Sequence, residues 1–193
     1  MKEPLLYKIV RPIVKVLFKI IFNPTYIGLE NIPKSGKIVL CGNHTNNFDS
    51  PLLLSCTKRV IHFLAKDSLT KGILGPAFKA MGIIPVNRSI HDKDALKSAK
   101  NTLNEGKVIG IFPEGTINRT DDIIMRFKIG AVKMAHDTDT KIVPFIITGK
   151  YKPFKNDLTI EFLKPHKIKS DDLTKENEIL MNIISKKLEE KRK

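Results

Sequence analysis

The feature that most constrains the fold of this chain is a regular alternation, after Pro24, between short apolar runs and longer amphipathic stretches. Short runs bounded by turn residues predict strands, whereas apolar residues three and four positions apart predict helices. The predicted strands are Tyr26–Glu30, Lys37–Gly42, Val60–Ala65, Ile83–Asn87, Lys107–Phe112, Ile142–Thr148 and Leu158–Leu163. The predicted helices are Ser50–Cys56, Thr70–Met81, Asp92–Glu105, Gly130–Asp137 and Asp171–Glu190. Because helices separate the strands, the pattern predicts an α/β sheet with crossover connections.

Two prolines fall inside predicted strands. Proline has no backbone N–H to donate to a neighbouring strand, so it is confined to edge strands, strand starts and bulges. We therefore expect Pro85 and Pro144 to occupy positions of this kind.

The most apolar stretch runs from Leu5 to Phe22 and carries four cations at helical spacing. Each cation at the centre of a membrane-spanning helix costs about 2.5–3.5 kcal/mol, which argues against a span. On a helix the cations share one narrow sector, and large apolar residues occupy the remaining face. The pattern predicts a helix in the membrane interface with cations toward anionic headgroups, at Lys8, Arg11, Lys15 and Lys19. The alternative is an amphipathic helix packed on its own domain.

We therefore divide the chain of 193 residues into an N-terminal membrane-interface segment, residues 1–24, and one domain, residues 25–193. Pro12 is a possible kink in the first segment. The predicted location is the cell membrane, peripheral or monotopic on the cytoplasmic face.

The net charge of +14 requires an anionic partner or another explanation. Nucleic acid, an anionic membrane surface and an anionic substrate are the three candidates. An aromatic content of 7%, the absence of Trp and the absence of a recognisable RNA-binding motif argue against nucleic acid. The cations comprise 28 Lys and only 6 Arg, so each arginine is considered individually.

A polar segment from Gly42 to Pro51 joins a predicted strand to a predicted helix. Such turns hold polar side chains at the carboxyl edge of an α/β sheet, where ligands bind. His44 and Asp49 are five residues apart and can meet across the turn, so that Asp49 fixes the tautomer of a general base. Equally compatible with this segment is Asp49 as a cap of the helix that begins near Ser50, with His44 as a turn residue.

Two further turns follow predicted strands and carry arginines. Pro113 and Gly115 permit a tight turn that presents Glu114 and Arg119 together, and Arg88 ends the turn that starts at Gly82. An arginine on such a loop can bind a phosphate in bidentate fashion, although a surface ion pair is the commoner fate. Two of six arginines at strand ends favour an anionic substrate.

No Gly-x-Ser-x-Gly, phosphate-binding loop or dinucleotide-binding turn is present. If His44 is a base, the group that it activates belongs to a substrate. Four blocks of the chain nevertheless resemble, in order and spacing, those of the glycerolipid acyltransferases, particularly the bacterial 1-acyl-glycerol-3-phosphate acyltransferases. The blocks are Asn43-His44-x4-Asp49, Gly82 to Arg88, Phe112 to Thr116 with Arg119, and Ile142 to Phe145.

The resemblance, which extends over residues 26–149, implies a single domain with a mixed, largely parallel sheet flanked by helices. It implies that His44 deprotonates the free glycerol hydroxyl of 1-acyl-glycerol 3-phosphate while Asp49 orients it. The hydroxyl attacks the thioester of acyl-CoA or acyl carrier protein without an acyl-enzyme, and phosphatidic acid results. The residues implied to hold the glycerol phosphate are Lys66, Arg88, Glu114, Gly115, Thr116 and Arg119.

The resemblance further implies an acyl-chain or structural role for Pro144, and neither a metal nor a cofactor. The implied partners are lysophosphatidic acid and an anionic phospholipid surface, together with the acyl donor. Two rivals stay open: an acyltransferase for glycerol 3-phosphate or another lysolipid, and a non-catalytic basic protein that binds anionic lipid or RNA.

Overall fold

The computed structural model describes residues 4–87, 90 and 92–192. Within these residues one seven-stranded sheet has the strand order β1-β7-β6-β2-β5-β3-β4. The strands are β1 (Thr25–Ile27), β2 (Ile38–Gly42), β3 (Ile61–Lys66), β4 (Ile84–Val86), β5 (Val108–Ile111), β6 (Ile142–Thr148) and β7 (Thr159–Phe162). The α-helices are α1 (Leu5–Ile21), α2 (Asp49–Cys56), α3 (Ser68–Lys71), α4 (Gly75–Ala80), α5 (Lys93–Asn104), α6 (Gly130–Asp137) and α7 (Leu173–Arg192), and a 3-10 helix covers Leu29–Asn31.

The sheet is mixed but largely parallel, as predicted. Strands β6 and β7 pair antiparallel, and every other neighbouring pair is parallel. The carboxyl ends of β2, β3, β5 and β6 therefore lie at one edge of the sheet, which we call the carboxyl edge. The loops that follow these strands meet there, as ligand-binding loops do in other α/β folds.

The two faces of the sheet bury two separate cores. Along β2, Ile38 and Leu40 point to a core that includes side chains of α1 and α2, whereas Val39 and Cys41 point to a core with α5, α6 and α7. This alternation follows from the two-residue period of a strand. Because both faces are covered, β2 is buried at all five positions.

Helix α1 has two different apolar sides. Tyr7 and Phe18 are buried against the domain, and the Tyr7 hydroxyl accepts a hydrogen bond from Ile61 N at 3.1 Å. The opposite side carries six large apolar residues that are 47–73% exposed; we call this set, Leu5, Ile9, Ile13, Val16, Leu17 and Ile20, the outer stripe. Packing on the domain therefore accounts for only one side of the helix. The division between residues 1–24 and 25–193 stays a prediction.

The two prolines occupy irregular positions, as expected. Pro85 lies in β4, which is an edge strand. Pro144 lies in the interior strand β6, but at a shift of register. The pairs Phe145–Phe162 and Ile142–His166 leave two residues of β6 facing three of the partner segment, which is a bulge.

One predicted helix is wrong. The predicted helix Thr70–Met81 is in fact two short helices, α3 and α4. Gly72 takes an extended conformation with ψ −176° and ends α3, and Pro76 in the first turn of α4 favours a new start. The intervening Ile73 and Leu74 are exposed, with Ile73 fully so. Pro12, in contrast, does not interrupt α1.

Candidate active site

The loop after β2 begins with two residues that fix its path. A Cβ atom at Gly42 would lie 2.4 Å from the carbonyl oxygen of Phe145, so only glycine fits there. The buried Asn43 side chain donates to Ile147 O at 2.9 Å and accepts from Ile147 N at 2.8 Å. These two bonds attach the loop to β6 immediately before His44.

His44 and Asp49 meet across the turn, with 2.8 Å between Nδ1 and Oδ2. The same carboxylate oxygen accepts from Thr45 N at 2.6 Å and from Asn46 N at 2.8 Å. The other oxygen, Oδ1, accepts from the Thr45 hydroxyl at 3.1 Å and from the Tyr151 hydroxyl at 2.6 Å. Asp49 is fully buried, so these five donors replace its hydration.

This hydrogen-bond network fixes the roles of the two His44 nitrogens. A carboxylate that accepts five hydrogen bonds requires a donor at each contact, so Nδ1 carries the proton and Nε2 has the free lone pair. Asp49 is the first residue of α2 and follows the N-cap position, which Phe48 occupies. The hydrogen bonds to its carboxylate come from the turn and from Tyr151 rather than from the amides of α2. Asp49 as a simple helix cap is therefore excluded.

The loop after β5 holds the backbone of His44 from both sides. Glu114 Oε1 accepts from His44 N at 2.7 Å, and Asn118 N donates to His44 O at 2.8 Å. The imidazole stacks on Phe112, with ring centroids 4.2 Å apart and planes at 16°. The predicted catalytic turn and the predicted phosphate-binding turn are thus parts of one site.

Glu114 binds the backbone of two residues from other parts of the site, His44 and Met125. Its side chain is buried, and its second oxygen accepts from Met125 N at 2.9 Å. Burial raises the pKa of the Glu114 carboxyl, and the hydrogen bonds from Met125 and His44 oppose that effect. Both carboxylate oxygens accept hydrogen bonds from backbone N–H groups, so Glu114 holds the loop that carries His44 in place. Contact between Glu114 and the substrate stays a prediction.

Two of the three predicted phosphate-binding cations, Lys66 and Arg119, lie on exposed surface near this edge. Lys66 is the last residue of β3 and is exposed, and Arg119 is exposed directly after Asn118. In the part of the chain that the structure describes, no carboxylate lies within ion-pair distance of Lys66 or Arg119. Arg88 lies outside the described residues. Thr116 is exposed beside the same turn.

Gly115 makes the turn that carries these residues. Its φ of +75° favours glycine, and a Cβ atom there would lie 2.8 Å from Lys128 Cε. The aliphatic part of Lys128 thus lies against the turn and adds a cation that the motif comparison did not single out. Lys128 also lines a mostly apolar cavity of about 190 Å³ together with Phe112, the ring that stacks on His44.

The remaining residues with predicted roles are Pro144 and the cations of α1. Pro144 is buried in β6 and does not line that cavity, a position that fits its structural alternative. Among the predicted membrane-facing cations, Lys8, Lys15 and Lys19 are exposed. Arg11 is half-buried and donates through Nε to Thr57 O at 2.5 Å, so its head is held by the domain.

Tyr151, which donates to Asp49, is a residue of this site that the sequence did not reveal. It lies in the loop after β6, 102 positions from Asp49 and outside the four blocks. A tyrosine in a polar loop carries no periodicity or spacing that would indicate its partner.

Two classes of feature are missing from the described residues. No group of three or more His, Cys, Asp or Glu side chains among them is arranged to hold a metal ion. No helix among residues 4–87, 90 and 92–192 is long and apolar enough to cross a bilayer.

The chain is similar to known proteins in sequence and in structure. Residues 23–148 match the family model described as Acyltransferase. The chain is 40% identical over 120 residues to the 1-acyl-sn-glycerol-3-phosphate acyltransferase of Borreliella burgdorferi, covering 61% of this chain and 48% of that protein. It is 35% identical over 132 residues to the chloroplastic 1-acyl-sn-glycerol-3-phosphate acyltransferase LPAT1 of Arabidopsis thaliana, covering 65% and 36%. The chain thus spans half or less of the length of these two relatives.

The fold also matches a solved structure. The crystal structure of the 1-acyl-sn-glycerophosphate (LPA) acyltransferase PlsC from Thermotoga maritima superposes with a TM-score of 0.77 at 22% identity, covering 96% of this chain and 79% of that one. At this identity the likeness concerns the fold alone. The family match, in contrast, covers well over half of the sequence and includes both loops of the site. The chain therefore belongs to the Acyltransferase family.

Proposed function

We propose that this protein transfers an acyl chain from acyl-CoA or acyl carrier protein to the free hydroxyl of 1-acyl-glycerol 3-phosphate and so makes phosphatidic acid. The observation that carries the proposal is the 2.8 Å contact between His44 Nδ1 and the buried Asp49, at the edge where the loops meet. The names of the Borreliella and Arabidopsis relatives support the choice of reaction.

In the proposed reaction His44 acts as a general base. Nε2 removes the proton of the acceptor hydroxyl as its oxygen forms a bond to the thioester carbonyl carbon. Asp49 stabilises the imidazolium that results, because its charge lies against Nδ1–H. The tetrahedral intermediate collapses, the carbon–sulfur bond breaks, and the imidazolium returns its proton to the leaving thiolate. No acyl-enzyme forms, which agrees with the lack of a nucleophile motif.

The acceptor phosphate is proposed to bind the cations beside the Gly115 turn. Lys66 and Arg119 are exposed there without a carboxylate partner among the described residues, so they can form new ion pairs. Arg119 can bind two phosphate oxygens at once, whereas Lys66 supplies a point charge. Arg88 and Thr116 are proposed to contribute to the same site.

The outer stripe of α1 supports a peripheral or monotopic position on a membrane. Large apolar side chains that are about half exposed are unfavourable in water and stable at the boundary between headgroups and acyl chains. Lys8, Lys15 and Lys19 flank the stripe, where they can approach anionic headgroups. Because the carboxyl end of α1 packs beside the loop that carries the dyad, such a surface would bring the acceptor lipid close to His44.

Product analysis with the purified protein tests the reaction. We expect phosphatidic acid from vesicles that contain lysophosphatidic acid when acyl-CoA or acyl carrier protein is supplied. His44→Ala should lower turnover by about 10²–10⁴, the range of a general base. The matched control is His136→Ala, which removes another histidine with an aspartate partner, at 2.9 Å. Turnover by His44→Ala at the rate of the control would refute the dyad mechanism.

An acceptor panel tests the substrate. Glycerol 3-phosphate, lysophosphatidic acid and a lysolipid with a zwitterionic headgroup should be compared under the same conditions. We expect lysophosphatidic acid to give the highest kcat/KM. A preference for either of the other acceptors would keep the reaction class and overturn the proposed substrate.

A further inference from the structure

Tyr151 makes a polar contact with the dyad that the proposed mechanism does not use. The Tyr151 hydroxyl donates to Asp49 Oδ1 at 2.6 Å, on the carboxylate oxygen that does not contact His44. Apart from Tyr151, the donors to Asp49 are His44 itself and groups of the same short turn, Thr45 and Asn46. Tyr151 is therefore the donor that ties the carboxylate to a distant part of the chain.

We propose that Tyr151 is a positioning residue for acyl transfer, whose hydroxyl holds the Asp49 carboxylate in the orientation that presents His44 Nε2 to the acceptor. This inference rests on the proposed function, because it concerns the same dyad. Tyr151, in the loop after β6, would thus join His44 and Asp49 in one hydrogen-bonded group of three side chains.

The ring of Tyr151 is held in place by aromatic contacts. Its centroid lies 5.6 Å from that of Phe22, with the planes at 89°, and 5.8 Å from that of Phe48. Phe18 extends the group, with its centroid 5.2 Å from Phe22. The edge-to-face pair with Phe22 is favourable and directional, and the tilted contact with Phe48 packs the ring from another side, so the hydroxyl is fixed in position before substrate arrives. The end of α1 and the dyad loop thus share one aromatic cluster.

Electrostatics keep the hydroxyl a donor. Burial and the neighbouring Asp49 charge raise the pKa of Tyr151 above its usual value, so the phenol keeps its proton through the neutral range. Glu114, which is held by two backbone amides, acts electrostatically with the dyad, and the partly buried Cys56 acts on Tyr151.

Removal of the Tyr151 hydroxyl should move the acid limb of the pH–rate profile in a predictable direction. A hydroxyl that donates to the carboxylate draws part of its negative charge away from His44. Without the hydroxyl, more of that charge falls on Nδ1–H, and the protonated imidazole gains stability relative to the neutral base. The acid limb of the pH–rate profile should therefore move to higher pH, and the carboxylate should become less well oriented.

The test uses the three tyrosines of the chain, each of which has a hydrogen-bonded hydroxyl. In the full-length protein with lysophosphatidic acid vesicles, Tyr151→Phe should lower kcat about tenfold, leave KM for the acceptor nearly unchanged and shift the acid limb upward. Tyr26→Phe is the matched control, because it removes a hydroxyl that bonds Ser55 on the same helix α2 at 2.9 Å. Tyr7→Phe is a second control. Both controls should keep the wild-type pH profile.

A double-variant cycle tests whether Tyr151 acts through Asp49. If it does, Tyr151→Phe should have little further effect on turnover in an Asp49→Asn background, because the orienting carboxylate is already lost. An undiminished tenfold loss in that background would overturn the proposal, as would a Tyr151→Phe profile identical to that of Tyr26→Phe. A loss of kcat with an unshifted acid limb and a lowered melting temperature would assign Tyr151 a purely structural role and also overturn it. A wild-type protein that transfers no acyl chain would instead refute the proposed function.

Discussion

Among the described residues two histidines pair with aspartates at opposite edges of the sheet, His44 with Asp49 and His136 with Asp171 and Asp137. Their comparison shows what makes one of them part of a candidate dyad. The distances are nearly equal, 2.8 Å for His44–Asp49 and 2.9 Å for His136–Asp171. The surroundings differ, since the Asp49 side chain is 0% exposed and the Asp171 side chain is 99% exposed. Asp49 accepts five hydrogen bonds that fix its orientation, whereas the Asp171 side chain is exposed to solvent. A contact distance alone therefore does not distinguish a catalytic pair from a surface pair.

The comparison predicts its largest effect for the aspartates themselves. Asn at position 49 would present an amide N–H₂ to donors that require an acceptor, so His44 would lose its orientation. We expect Asp49→Asn to lower acyl transfer by about 10²–10⁴, the contribution of a general base. Asp171→Asn should leave turnover within twofold of wild type. Equal losses in the two variants, measured with lysophosphatidic acid vesicles, would break the distinction.

A smaller effect is expected from two of the buried glutamates, Glu114 and Glu176, one near each pair. Glu114 accepts from two backbone N–H groups, whereas Glu176 accepts from Lys169 N at 3.0 Å and contacts His166 Nε2 at 3.3 Å. Glu114→Gln leaves one buried N–H facing an amide donor, which costs about 1–3 kcal/mol of stability. We therefore expect Glu114→Gln to lower both the melting temperature and kcat by a measurable factor.

Glu176→Gln is the control for that loss. Its amide can still accept from Lys169 N and can donate to a neutral His166, so both contacts survive the change. The variant should keep kcat within twofold of wild type. If Glu114→Gln had wild-type kcat despite a lowered melting temperature, the clamp on the His44 backbone would have no part in catalysis.

The smallest effect concerns the stability of the fold and involves Asp137, the second aspartate beside His136, at 3.5 Å. Burial by itself raises the pKa of the Asp137 carboxyl, but hydrogen bonds from Lys133, Lys100 and His136 outweigh it and lower the pKa to about 2. A lowered carboxyl pKa stabilises the folded state above the ordinary value near 3.8, and that contribution is lost as the pH falls toward 2. We expect wild type to lose about 1 kcal/mol more than Asp137→Asn between pH 4 and pH 2, after allowance for solvent screening.

His136, at the same edge, contributes to the stability of the fold with the opposite dependence on pH. Hydrogen bonds to Asp171 and Asp137 raise the pKa of His136. A raised histidine pKa stabilises the folded state fully below about 6.5 and loses that contribution as the pH rises through the folded value. Chemical denaturation of wild type, Asp137→Asn and His136→Ala from pH 2 to pH 8 measures both contributions. Parallel stability curves for the three proteins would contradict this assignment.

Local patterns predicted most of the fold. The predicted bounds of β6 and α6 agree with the structure residue by residue, because apolar periodicity and turn residues mark their ends. The meeting of His44 and Asp49 was also predictable, since both residues lie in one short turn. Helix breaks are harder to predict, as the division at Gly72 depends on an extended backbone that the neighbouring apolar residues do not indicate.

Contacts between distant segments escaped prediction. Tyr151 reaches Asp49 across 102 residues, and the choice of His44 N and Met125 N as the partners of Glu114 depends on where two loops meet in space. Likewise, the periodicity of α1 marks its apolar residues but does not tell which of them face the domain and which form the outer stripe. These assignments depend on the packing of the whole fold.

The outer stripe has a practical consequence for handling the protein. Six large apolar side chains on one side of an exposed helix form a continuous water-accessible surface, and such surfaces drive association in the absence of lipid. We expect the purified chain to self-associate or adsorb in plain buffer and to disperse when detergent micelles or lipid nanodiscs cover the helix. A molecular mass measured without detergent or lipid would then be that of an associated form of the protein. The mass of the dispersed protein is best measured with detergent or lipid covering α1.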